Sequence, residues 1–223
     1  MFSPKLAILP PALRQLWPEL ASLPDHLVLY GGTAIALRLG HRTSVDFDFF
    51  TDVDLDGDEK DRFLKIAWLK DADVLQNDEG TLTVSVETGA GAVKLSFFGG
   101  LKCGRIGEPD RTDDAVVYVA SLEDLLAHKL KVVHDRAAGR DYQDIAAILT
   151  SGQDLARAVA GARALFRPAL PAMIMVKASP ISKMSQSPGA SLTRSRRRLS
   201  PLQQVCPSVW TRRPSFLRRC VAI

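Results

Sequence analysis

Leu27-Val-Leu-Tyr-Gly-Gly-Thr-Ala-Ile-Ala-Leu-Arg-Leu-Gly-His-Arg-Thr-Ser-Val-Asp-Phe-Asp-Phe-Phe50 is the stretch whose reading decides the fold. The apolar run Leu27 to Tyr30 reads as a buried strand. At Gly31-Gly32 the backbone can turn sharply and approach a ligand with no Cβ in the way. Thr33 suits the N-cap of a short helix, Ala34 to Leu39. A second strand, Ser44 to Phe50, follows. In it Asp46 and Asp48 alternate with Val45, Phe47 and Phe49, so both aspartates share one face. Phe47, Phe49 and Phe50 mark the strand as central and buried on its other face.

Two carboxylates so close repel by about 2–4 kcal/mol at an effective dielectric near 20. Folding alone gains nothing from that arrangement. A divalent cation relieves the repulsion, and hard oxygen ligands are what Mg²⁺ selects. The expected site is therefore a helix N-terminus for phosphates beside a carboxylate pair, Asp46 and Asp48, for Mg²⁺ (or Mn²⁺). Backbone amides at Gly31 and Gly32 and the Thr33 hydroxyl are expected to hold the β- and γ-phosphates of an NTP. His41, Arg42 and Ser44 lie in the link between helix and strand, placed either to contact phosphate or support the metal ligands, or to cap the turn in solvent.

Gly31-Gly32-Thr33, a spacer and Asp46-Phe47-Asp48 resemble the signature of DNA polymerase β-type nucleotidyltransferases, and the fuller string is similar to the AbiEii/AbiGii toxin branch. The resemblance runs from about Leu27 to Met175. It implies an α+β fold: a polymerase β-like nucleotidyltransferase core with a short mixed sheet flanked by helices, then a helical C-terminal part. The activity implied is Mg²⁺-dependent transfer of NMP from an NTP to an acceptor, either RNA such as tRNA or a protein. The biological setting implied is the toxin half of a toxin–antitoxin or phage-defence pair, with a cognate antitoxin. Lys129 and the run Arg140-Asp141-Tyr-Gln-Asp144 resemble the family's later motifs. There Lys129 would bind triphosphate as a point charge, and Asp141 or Asp144 would orient it or act as a base. An interhelical salt bridge is the structural alternative. The resemblance also implies a third carboxylate on a neighbouring strand, but Ser96 of Val93-Lys-Leu-Ser-Phe-Phe98 stands at that position. Glu87 is the nearest acid on an adjacent strand. This departure leaves open a degenerate member that binds nucleotide without turnover.

The rest of the chain supports a single α+β unit. Prolines at 4, 10, 11, 18 and 24 punctuate short helices that cap the first strand. Asp52 to Asp58 imitates a calcium loop, yet Lys60 and Phe63 stand at its ninth and twelfth positions, so a solvated loop is expected, with Asp56 or Asp58 capping a helix Lys60–Leu69. Strands are expected at Ala72–Leu75, Thr81–Glu87, Ala92–Phe98 and Val116–Val119, and helices at Leu122–His134, from Arg140, and at Gln153–Phe166. His128 and His134 read as structural. The expected organisation is 1–120 nucleotidyltransferase core, 121–175 helical part of the same catalytic unit, and 176–223 tail.

Composition sets the remaining bounds. With 46% hydrophobic and 24% charged residues the chain reads as an ordinary soluble protein. It shows no run of the ~20 apolar residues that a membrane span needs. Three cysteines without metal spacing fit a reducing cytoplasm. From Pro171 onward the chain holds 10 Lys and Arg and no acid, leaving residues 1–170 with a net charge of −6. The tail thus reads as disordered and basic, and a nucleic-acid-binding module would rest on it. A sharper reading is frameshifted translation over 179–223. Family members commonly continue with Leu-Thr-Tyr-Phe-Glu-Asp after a Val-Lys-Ala-like segment, here Val176-Lys-Ala178. One coding string for the six residues from Ser179 to Met184, TCA CCT ATT TCG AAG ATG, spells that continuation one nucleotide earlier after a C. Resequencing the gene tests this.

Overall fold

The computed structural model describes residues 1–101, 104–136 and 138–166. The tail, the expected frameshift and the end of the expected helical part lie outside the described residues.

Seven strands form one mixed sheet: β1 (Val28–Tyr30), β2 (Asp46–Phe50), β3 (Asp73–Asp78), β4 (Thr81–Thr88), β5 (Gly91–Phe98), β6 (Asp110–Arg111) and β7 (Tyr118–Val119). Their order is β3-β4-β5-β2-β1-β7-β6. β3, β4 and β5 form the expected antiparallel meander, and β5 joins the sheet by running parallel to β2. The strand β6 was not expected; two residues of mixed charge give no periodic signal.

The α-helices among the described residues are α1 (Pro11–Leu16), α2 (Gly31–Leu39), α3 (Gly57–Leu64), α4 (Leu122–Asp135), α5 (Gly139–Thr150) and α6 (Leu155–Phe166). Asp56 caps α3 by accepting from Glu59 N at 2.9 Å. That helix begins and ends earlier than the pattern predicts. Ser121 caps α4, and the buried Asp124 carboxylate accepts from the amides of Ile106 and Gly107, both at 2.9 Å. The Asp124 bonds fasten the preceding loop to α4. Arg38 ties α2 to the opposite sheet edge through the carbonyls of Val119 and Ala120 and the carboxylate of Asp110.

One sheet face is apolar. Leu29, Phe47, Phe49, Leu82, Val84, Leu95 and Phe97 are fully buried there, with Trp17 and Phe63 packed on them. The other face carries Asp46 and Asp48. Phe50 belongs to this second face, because it has the aspartates' parity, which corrects its expected place beside Phe47 and Phe49. It packs with Tyr30 (4.9 Å), Phe98 (5.0 Å) and His128 (5.8 Å).

His128 sits within this aromatic cluster, and burial pushes its pKa down to about 4. Its neutral form is favoured in the fold. His128 therefore contributes stability above its unfolded value near 6.5, lost as pH falls through about 4. In His128→Phe, thermal melts between pH 7 and 4 should lack an acid-side loss of about 3 kcal/mol.

Candidate active site

The Gly31-Gly32 pair is where the two halves of the site meet. Gly31 opens α2 with φ of +73°, a conformation costly for any residue with a Cβ. A Cβ built there would lie 2.7 Å from Asp48 Oδ2, so the missing side chain makes room for that carboxylate. A Cβ on Gly32 would overlap Arg42 Nη2 and lie 3.6 Å from Asp144 Oδ2. The first turn of α2, whose amides have no partner within the helix, thus has a carboxylate on one side and a guanidinium on the other.

Thr33 is not the N-cap. The helix begins three residues earlier than expected, at Gly31 after Tyr30, whose side chain makes no cap bond. Thr33 is 1% exposed, and its hydroxyl bonds Ser44 Oγ at 2.7 Å and the Asp46 carbonyl. One proton serves each hydroxyl, so Thr33 donates to the carbonyl and Ser44 to Thr33. Both side chains pin α2 to the start of β2 from behind, and what this turn offers a phosphate is backbone.

On β2, Asp46 is one-third exposed, while Asp48 is the more strongly desolvated. Burial, and then the Asp46 charge, push the Asp48 carboxyl up to about 6 against the pull of Lys94, Ser96 and Lys129. In the parallel register Asp46 faces Lys94 and Asp48 faces Ser96. Lys94 Nζ lies 3.8 Å from Asp46 Oδ2. Lys94 was not singled out from sequence, although its same-face spacing with Ser96 was legible. Glu87 pairs with Ala92 near the far end of β5 and takes no part. Among the described residues, no three His, Cys, Asp or Glu side chains are grouped to hold a metal.

The second half is a buried ion network. Asp144, fully buried, accepts from Arg42 Nε (2.7 Å) and Nη2 (2.9 Å) and from His41 Nε2 (2.8 Å), and pairs with Lys129 Nζ (2.7 Å). Lys129 also bonds Asp141 Oδ1 at 2.8 Å. The other Asp141 oxygen makes no hydrogen bond, with Arg136 Nε 3.6 Å away. Although burial opposes it, the donors His41, Arg42 and Lys129 hold the Asp144 carboxyl well below the usual carboxylate range. Its contacts tie it to three neighbouring side chains, an arrangement suited to orienting them. Lys129 is 8% exposed and doubly paired, so it acts as the clamp between α4 and α5 rather than as an open point charge. The expected interhelical salt bridge and the orienting role are one arrangement.

Arg42 keeps guanidinium hydrogens beyond those spent on Asp144 and the Thr43 carbonyl. Gly32→Ala should dislodge it. Denaturant melts are expected to show about 1–3 kcal/mol of stability lost as Asp144 loses a partner.

A family model described as the nucleotidyl transferase AbiEii toxin of type IV toxin–antitoxin systems matches residues 15–186. Most of the basic segment lies beyond that match. The uncharacterized protein aq_aa25 of Aquifex aeolicus (strain VF5) is 29% identical over 123 residues, 52% of this chain and 54% of that protein. The chain thus matches about half the length of that relative. Two solved structures are similar at low identity. An antigenic nucleotidyltransferase-like protein from Paracoccidioides brasiliensis has 16% identity and a TM-score of 0.47, covering 71% of this chain and 79% of that one. The antibiotic-resistance factor ANT(2'')-Ia has 12% identity and a TM-score of 0.46, covering 71% of this chain and 86% of that one. Neither likeness adds to the family match. With its glycine turn, strand aspartates and buried lysine clamp all inside the matched span, the chain belongs to the AbiEii nucleotidyltransferase toxin family.

Proposed function

We propose that the chain transfers a nucleoside monophosphate from an NTP to an acceptor hydroxyl, using Mg²⁺ or Mn²⁺ held by Asp46 and Asp48. The observation that carries this reading is the Asp48 carboxylate against Gly31 at the open end of α2, raised to about 6 beside a second carboxylate. Two hard oxygen ligands suit Mg²⁺, which commonly takes one or two protein carboxylates and completes its shell with water and phosphate. When bound, the cation would neutralise charge on the reacting phosphoryl group and lower the pKa of the attacking hydroxyl.

The chain's own contribution is positioning. First-turn amides of α2 orient the triphosphate. Arg42 donates to it from the side while Asp144 fixes the guanidinium plane. Lys129 holds Asp144 and Asp141 in place, with His41 bracing Asp144. The acceptor oxygen bonds to the α-phosphorus, the bond to the bridging oxygen breaks, and pyrophosphate leaves. The hydroxyl proton passes to water.

The acceptor in this reading is RNA, such as a tRNA end, or a protein, and the setting is a cytoplasmic toxin with a cognate antitoxin. Among the described residues no helix is long and apolar enough to cross a membrane. The test is label transfer from each α-labelled NTP, with Mg²⁺, to total tRNA and to protein. Transfer that disappears in Asp46→Ala/Asp48→Ala supports the reading. Nucleotide binding without transfer would instead favour a degenerate binder, the alternative that Ser96 opposite Asp48 motivates.

A further inference from the structure

We propose that Lys94 takes the place of a second divalent ion, so that the Asp46/Asp48 pair works with one metal. This rests on the nucleotidyltransferase reading above and concerns how its site balances charge. The parallel pairing of β2 with β5 sets Lys94 directly opposite Asp46 and Ser96 directly opposite Asp48, all on one face of the sheet. Lys94 Nζ stands 3.8 Å from Asp46 Oδ2, and both groups are partly open to solvent, at 49% and 34%. Two closely spaced divalent ions in one site need enough carboxylates to offset their mutual repulsion. Here β5 supplies a neutral hydroxyl and a positive ammonium, and no group of three acidic or histidine ligands forms among the described residues. Before nucleotide binds, two carboxylates and one ammonium leave a net charge of −1, which one divalent ion already overcompensates. A second would have to approach against both the first ion and Lys94. An ammonium donates hydrogen bonds as well as charge, so Lys94 can neutralise the Asp46 side of the site without leaving β5.

Equilibrium dialysis of the full chain with Mn²⁺ and each of the four α,β-methylene nucleoside triphosphates, which cannot release pyrophosphate, reads this directly. One Mn²⁺ per bound nucleotide is expected in the wild-type chain, and two in Lys94→Asp, where a carboxylate replaces the ammonium. Lys94→Met should tighten half-saturation by Mn²⁺ about tenfold through loss of the competing charge. It keeps the assay decisive should Lys94→Asp misfold, as judged by circular dichroism. Two Mn²⁺ per nucleotide in the wild type, both lost in Asp46→Ala/Asp48→Ala, would overturn the role of Lys94 while leaving the site reading standing. So would an unchanged Mn²⁺ response in both Lys94 variants. Mn²⁺ binding that ignores Asp46→Ala/Asp48→Ala, or no nucleotide-linked Mn²⁺ at all, would overturn the site reading and the Lys94 role together.

Discussion

Asp48→Ala and Asp46→Ala are each expected to lower nucleotidyl transfer by at least about 10³-fold while the protein stays folded. Both side chains lie on the polar face of β2 and contribute little to the core, whose Phe47 and Phe49 point the other way. The isosteric change Asp48→Asn sharpens the expectation, because activity and stability should move in opposite directions. The Asp48 carboxyl titrates near 6 in the fold, against an ordinary value of 3.8. Between those values the folded state binds more protons than the unfolded one. Stability contributed by the group is therefore full below the unfolded value and lost as pH rises through about 6. At pH 7 the ionised carboxylate destabilises the metal-free fold by about 2–3 kcal/mol. Asp48→Asn should recover most of that in urea melts at pH 7 and almost none at pH 3.5. The same titration runs opposite to that of His128, which loses stability on acidification over an overlapping range. The wild-type profile should consequently be flatter than either single variant's. A transfer-deficient Asp48→Asn that is no more stable than wild type at pH 7 would show that Asp48 is not held in a charge-poor site.

The sheet and the paired carboxylates of β2 were legible because their signals are local. A strand shows its faces by alternation, so Asp46 and Asp48 declared themselves, and so did the meander with its Asn-Asp-Glu-Gly and Gly-Ala-Gly turns. What alternation cannot show is the neighbour across the sheet. Lys94 became part of the site only through the β2–β5 register, a pairing of residues almost fifty positions apart. Thr33 misled for a related reason. A threonine after two glycines looks like a cap, but the left-handed Gly31 lets the helix start earlier and turns Thr33 inward to Ser44. From sequence the glycines suggest close ligand approach. The structure shows a cause within the fold, since each clears space for a charged side chain, Asp48 or Arg42. The aromatic character of Phe50 points it to the apolar face against its parity; in the structure an aromatic patch shares the aspartates' face and receives His128.

Asp144→Ala is expected to be the most destabilising single change in the site, at about 3–5 kcal/mol. Its carboxylate has no exposed surface and serves three cationic or donor side chains, two from the α2–β2 link and one from α4. Removing it strands Arg42 and Lys129 as buried or half-buried positive charges whose desolvation is no longer offset. Lys129 retains Asp141, so it stays anchored at one oxygen, whereas Arg42 keeps only the Thr43 carbonyl. The loss should therefore reach function through Arg42. At a temperature where the variant is folded, nucleotide affinity is expected to drop about tenfold or more, with a smaller change in kcat. Lys129→Met gives the contrast: Asp144 keeps its bidentate Arg42 and His41, while Asp141 loses its 2.8 Å partner. Its cost should fall on stability more than on nucleotide binding. Because Lys129 and Asp144 share one network, the double variant Asp144→Ala/Lys129→Met should be less destabilised than the sum of the singles. Denaturant melts of the four proteins measure that coupling. Additive losses would mean that the 2.7 Å pairing between α4 and α5 carries no net energy, and that Arg42 alone depends on Asp144.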